Sequence, residues 1–152
     1  MKRLLLTLCF IIIISNFVMA RTADNLIQPG ISVGSAYLGK TTTKDIVNWL
    51  GNPEKTTKND KGDIFYIYDT YGLTFIFTSS ILSAVIITSN YYKTPELIGI
   101  GSTTKEVVAA YPYSKSTYYK EEWNIVDANK NTVYYCNSSS GTVFRILIML
   151  PQ

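Results

Sequence analysis

The feature that most constrains the fold is an internal repeat. Thr42-Thr43-Lys44-Asp45-Ile46-Val47 and Thr103-Thr104-Lys105-Glu106-Val107-Val108 lie 61 residues apart. The same shift sets Leu82-Ser83-Ala84-Val85-Ile86-Ile87 over Val143-Phe144-Arg145-Ile146-Leu147-Ile148. Exact matches are few, but apolar positions coincide at both ends of the window. Self-similarity at a fixed period signals a supersecondary unit used more than once. Residues 31–94 and 95–152 are therefore read as two copies, preceded by a lead-in at 21–30.

Each copy opens with a helix start. Thr42 and Thr103 can each accept from a first-turn amide, while Asp45 or Glu106 reaches back, which makes a capping box. Gly51-Asn52-Pro53 ends the first helix and Pro112 the second. Such short helices need tertiary support. Strands follow at Ile64–Asp69, Leu73–Thr78 and Ile81–Thr88, then at Tyr118–Val126, Thr132–Asn137 and Thr142–Leu150. Links as short as Thr70-Tyr71-Gly72 and Ser79-Ser80 allow only antiparallel neighbours. Lys55–Gly62 reads as a polar loop and Tyr91–Pro95 as the link between copies. The expected class is α+β: a tandem repeat of a short helix plus a three-stranded antiparallel meander, with helices packed on one face of the sheet.

The N-terminus gives the compartment. Lys2 and Arg3 precede an apolar run, Leu4–Phe17, closed by Val18-Met19-Ala20. This is a secretory signal, with cleavage expected after Ala20 and an uncleaved anchor as the alternative. The product is periplasmic or secreted, with no membrane span after cleavage. Two of the 14 basic residues leave with the leader, so the remaining chain balances its 11 acidic residues to within one charge. No basic patch for nucleic acid is expected. Cys136 alone remains after Cys9 departs, so no internal disulfide can form. Its setting in Val133-Tyr134-Tyr135-Cys136 is that of a buried small apolar residue.

The chain has no histidine. Histidine-based triads are therefore excluded, along with the commonest general base and zinc ligand. Asp60, Asp63, Asp69, Glu121 and Glu122 lie mostly in loops or at strand ends, and a carboxylate hydrolase is the weaker alternative. Gly34-Ser35-Ala36-Tyr37-Leu38-Gly39-Lys40-Thr41 matches G-x-x-x-x-G-K-[ST]. A phosphate loop needs a parallel sheet around it, whereas a meander follows here, so the match is read as coincidence. No cofactor or metal is expected, and the chain is read as non-enzymatic.

Leu38-Gly39, Thr42, Asp45-Ile46 and Leu50-Gly51-Asn52-Pro53 resemble the helix-opening signature of SmpA/OmlA and β-lactamase-inhibitor-like modules. Ile27-Gln28-Pro29-Gly30 is similar to the lead-in of exported members of that group. The resemblance implies a small exported module that binds other proteins, with helices against an antiparallel sheet. The chain differs from these relatives in lacking an acylation cysteine and inhibitor-type disulfides, and in carrying two copies. Neither membership of a barrel-assembly complex nor β-lactamase inhibition is carried over.

The expected partner is another exported or envelope protein. It would meet the open sheet face, where Tyr66, Tyr68, Tyr134 and Arg145 are the candidate partner-binding residues. Tyrosine buries large area with few rotors and keeps a polar tip, and arginine can anchor a carboxylate.

Overall fold

The computed structural model describes residues 23–112 and 141–150, together with the backbone of three strands between them. Helix α1 (Thr43–Leu50) begins at Thr42, whose hydroxyl accepts from the Asp45 amide while the Asp45 carboxylate accepts from the Thr42 amide at 2.8 Å. Helix α2 (Thr104–Ala110) repeats that capping box with Thr103 and Glu106. Both helix starts thus form where the Thr and acid spacing places them.

Eleven strands are present among the described residues. β1 (Ile27–Gln28), β2 (Ser32–Val33) and β3 (Ala36–Tyr37) form a small antiparallel sheet. The main sheet contains β4 (Lys55–Lys58), β5 (Ile64–Tyr68), β6 (Leu73–Thr78) and β7 (Ile81–Ile87) from the first half. From the second half come β8 (Lys115–Tyr119), β9 (Glu122–Val126), β10 (Thr132–Asn137) and β11 (Val143–Met149). Their order is β4-β5-β6-β7-β11-β10-β9-β8, so the last strands of the two halves meet at the centre. All pairings in this sheet are antiparallel.

The two halves carry equivalent hydrogen bonds. Leu82 N donates to Thr41 O, and Val143 N donates to Ser102 O, each partner displaced by 61 residues. The isolated bridges Thr42–Ile81 and Thr103–Thr142 obey the same shift. Each helix start is therefore tied to the beginning of its half's last strand.

Alternation decides the core. Leu73, Phe75 and Phe77 on β6 are buried, and Val85 and Ile87 on β7 and Ile146 and Ile148 on β11 share their face. α1 covers this face through Ile46 and Trp49, whose ring meets Phe75 edge-on at 6.3 Å. Val107 of α2 joins the same cluster. Each fully buried side chain of this size contributes about 1.5–3 kcal/mol.

Two sequence expectations are corrected, and two connecting segments prove to be packed. Lys55–Gly62 is not all loop, because Lys55–Lys58 forms edge strand β4. The stretch 118–126 is not one strand but parts of β8 and β9, so each half contributes four strands to the sheet. The lead-in is part of the core: Ile27 is completely buried, and its amide donates to Lys93 O at 2.9 Å. The link between the halves is likewise packed, with Tyr92 and Thr94 buried. Polar edge strands and short bridging segments have no strong periodicity of their own. Only their partners reveal them.

Candidate functional site

The open face of the sheet is built by the same alternation that builds the core. Ile67, Thr74, Ile86 and Leu147 stand opposite one another across β5, β6, β7 and β11, and the row continues in register through Tyr134, Asn124 and Thr117. Phe65, Ile76, Ala84 and Met149 form the next row. Except for buried Ala84, the apolar members with described side chains are half-buried. They are screened by sheet neighbours, and none of them belongs to the core cluster under the helices. The open face of β5, β6, β7 and β11 thus carries a group of apolar side chains interrupted by Thr74 and bordered by Arg145.

Two of the expected partner-binding residues lie on the other face. Tyr68 is 1% exposed, and its hydroxyl donates to Gly51 O at 2.7 Å, closing the C-terminal end of α1. Burial pushes its phenol above the ordinary value. Tyr66 packs against the core with its ring edge-on to Phe77 at 5.2 Å. The assignment of both to an open face is corrected. Tyr66 and Tyr68 do alternate onto one side, but Phe75 and Leu73 opposite them fix that side as the core. Tyr134 pairs with Leu147 in register, and its side chain lies outside the described residues.

Arg145 is exposed on β11, with its guanidinium 5.9 Å from the Phe144 ring centre. A bulge beside Cys136 and Asn137 lets Asn137 face Val143 and Cys136 face Arg145. Val143 is consequently buried while Phe144 is exposed, the reverse of simple alternation. Arg145 keeps the parity of Leu147 and Met149. Cys136 stands in register between Arg145 and Glu122, and its side chain too lies outside the described residues.

Sequence reasoning missed Phe65, Ile67, Ile76, Ile86, Leu147 and Met149. The available signal was the near-continuity of the apolar runs, which puts apolar side chains on both faces.

Among the described residues the carboxylates do not converge. Asp63 is held below its ordinary value by hydrogen bonds from Thr78 and Asn59. Glu54 is lowered by the amide and hydroxyl of Thr70. Asp63 and Asp69 flank opposite ends of β5, roughly 17 Å apart for five strand residues. Glu121 falls outside the described residues, and Glu122 is described only in its backbone. Among the described residues, no three His, Cys, Asp or Glu side chains group as a metal site.

An open cleft of about 380 Å³ lies between α2 and the segment around Glu96, Leu97 and Ile98. Its polar groups are already engaged. Tyr111 donates to Glu96, Glu106 caps α2, and the Ser102 hydroxyl accepts from the Gly99 amide. Nothing in it is poised as a nucleophile or base.

The phosphate-loop match begins in the β2–β3 hairpin turn, and its Gly39-Lys40-Thr41 follow the two-residue antiparallel strand β3 rather than a strand of a parallel sheet. A Cβ at Gly34 would fall 2.6 Å from Asp24 O and 3.0 Å from the Trp49 ring, so that glycine serves close packing. Thr41 is buried and accepts from the Tyr37 amide. No amide cradle for a phosphate is formed by these bonds.

No family model matches the chain, and no curated protein matches its sequence. Solved structures share its fold. An extracellular protein containing an SCP domain from Bacillus anthracis matches with TM-score 0.59 and 9% identity, over 82% of this chain and 49% of that one. A DUF4309 family protein from Bacillus subtilis matches with TM-score 0.56 and 11% identity, over 85% of this chain and 90% of that one. A cysteine-rich secretory protein from Staphylococcus aureus matches with TM-score 0.54 and 12% identity, over 85% and 48%. The chain spans about half the length of the first and third. At these identities the likeness is one of fold.

Proposed function

We propose that the chain is an exported, non-enzymatic binding module that engages another exported or envelope protein through the open face of its eight-stranded sheet. The observation that carries this reading is the pair of apolar rows centred on Ile76 and Ile86. A sheet with helices on one face and a group of apolar side chains on the other gains stability when that group is covered too. Arg145 at the margin of the rows supplies a charge for orienting a partner.

The Lys2-to-Ala20 leader supports export, as does the fold shared with an extracellular protein and a cysteine-rich secretory protein. The 61-residue displacement of the bonds at Thr41 and Ser102 supports a duplicated helix-plus-strands unit as the origin of the fold. The resemblance to SmpA/OmlA and inhibitor-like modules agrees with a protein partner.

A photo-crosslinking residue at position 86, introduced in the producing cells, tests the reading. One dominant crosslinked protein is expected, lost when Ile76→Lys is added and retained when the control residue Lys44 on α1 is replaced by alanine. Absence of any specific adduct at position 86 overturns it.

A further inference from the structure

Two loops meet at one end of the main sheet. The first is the 3₁₀ turn Asp69–Tyr71, which ends at Gly72 in the left-handed region with φ 62°. The second is the segment 88–92 after β7. Thr88 donates to Gly72 O from its amide at 2.9 Å and from its hydroxyl at 3.3 Å. A Cβ on Gly72 would lie 2.7 Å from the Ser89 nitrogen, so only glycine permits this approach. The Tyr91 amide donates to the Ser89 hydroxyl, which holds the second loop in shape.

From this junction two tyrosines reach solvent: Tyr71 is 43% exposed and Tyr91 is 55% exposed. Each is backed by a buried ring. Tyr71 lies 6.3 Å from Tyr68, and Tyr91 lies 5.3 Å from Tyr92 at an interplanar angle of 89°. The contact of Gly72 with Thr88 and Ser89 sets the loop that carries Tyr71 beside the loop that carries Tyr91. The exposed polar residues of the two loops are Asp69, Thr70, Thr88 and Asn90, and neither loop contains lysine or arginine. Glu54 adds a second carboxylate, accepting from the Thr70 amide at 2.9 Å.

We propose that this end of the sheet is a carbohydrate-binding site for a polysaccharide of β-linked pyranose units, with Tyr71 and Tyr91 as stacking platforms and Asp69, Thr70 and Asn90 as hydroxyl partners. A pyranose presents C–H groups on its flat faces and hydroxyls around its rim. It therefore fits exposed, rigidly backed aromatic rings edged by neutral and acidic hydrogen-bonding groups. The acidic edge repels phosphate-bearing polymers and anionic lipid surfaces. The absence of exposed aliphatic side chains in the two loops disfavours an apolar peptide. This site is separate from the open sheet face and is tested separately.

Retention of the purified protein on insoluble chitin and on cellulose measures it, with calorimetric titration using chitotetraose and cellotetraose. Retention on at least one polymer is expected, and the two arms tell an N-acetylated glycan from a plain one. Tyr71→Ala and Tyr91→Ala should each weaken retention about tenfold. Tyr37→Ala, at an exposed tyrosine elsewhere, should leave it unchanged, as should Ile86→Lys on the open face. Should Tyr71→Ala disturb folding through Tyr68, the more exposed Tyr91→Ala carries the test, with its circular dichroism melt as the check. Failure of the protein to bind either polymer and both oligosaccharides overturns the proposal, as does binding indifferent to Tyr71 and Tyr91.

Discussion

At the scale of single residues, most polar side chains that sequence inspection singles out are engaged in holding local structure. Tyr68 illustrates this: its ring fills the core and its hydroxyl satisfies the Gly51 carbonyl past the end of α1. Tyr68→Phe should cost about 1 kcal/mol, measured by urea unfolding, because the carbonyl loses its donor in a partly buried place. Asp45 and Glu106 are held below the ordinary carboxylate range chiefly by hydrogen bonds from Thr42 and Thr103. Asp63 and Glu54 are lowered in the same way. A carboxyl lowered on folding stabilises the native state fully above its unfolded value, about pH 4, and that contribution fades as the pH falls through the lower folded value. The urea midpoint should therefore be flat near neutrality and decline below about pH 4. Asp45→Asn combined with Glu106→Gln should make the decline shallower.

At the scale of elements, capping residues and turn residues matter more than propensity. α1 and α2 are short, so each depends on its cap. Thr42→Ala and Thr103→Ala should each cost about 0.5–2 kcal/mol. The two sites belong to different helices, and their effects should add in a thermal melt of the double variant. The β6–β7 turn places Ser79 and Ser80 at φ 51° and 67°, the mirror-image turn that suits right-twisted hairpins. Serine is strained there. Replacing the pair with Asn-Gly should stabilise the protein by roughly 0.5–1 kcal/mol, and an unchanged melting temperature would contradict this turn geometry. β4 shows why the polar run Lys55-Thr56-Thr57-Lys58 is hard to recognise as a strand. It is an edge, and edges are kept polar and lysine-bearing to discourage further pairing.

At the scale of the whole molecule, the two halves are joined by the β7–β11 pairing, and their buried residues form one cluster. Ile148 of the second half lies opposite Val85 of the first, and both are fully buried. Unfolding should consequently be a single cooperative transition, with calorimetric and van't Hoff enthalpies that agree. Ile148→Ala should lower stability by about 2–5 kcal/mol without splitting that transition. Two separable transitions would mean that the halves fold independently.

The chain's own residues determined the helix starts, the turns at Thr70–Gly72 and Ser79–Ser80, the antiparallel pairing and the α+β class. Each is local: caps, tight turns and short links act within a few neighbours along the chain. The absence of histidine excluded whole classes of catalysis in the same direct way. Which face of each strand became core was decided only by tertiary structure. On strands apolar on both sides, period-two alternation marks two faces but does not say which one the helices cover. That is why Tyr66 and Tyr68 are core residues while Ile76 and Ile86 line the open face. The meeting of the loops that carry Tyr71 and Tyr91 is tertiary as well, since it depends on Gly72 letting one loop close upon another some 17 residues later.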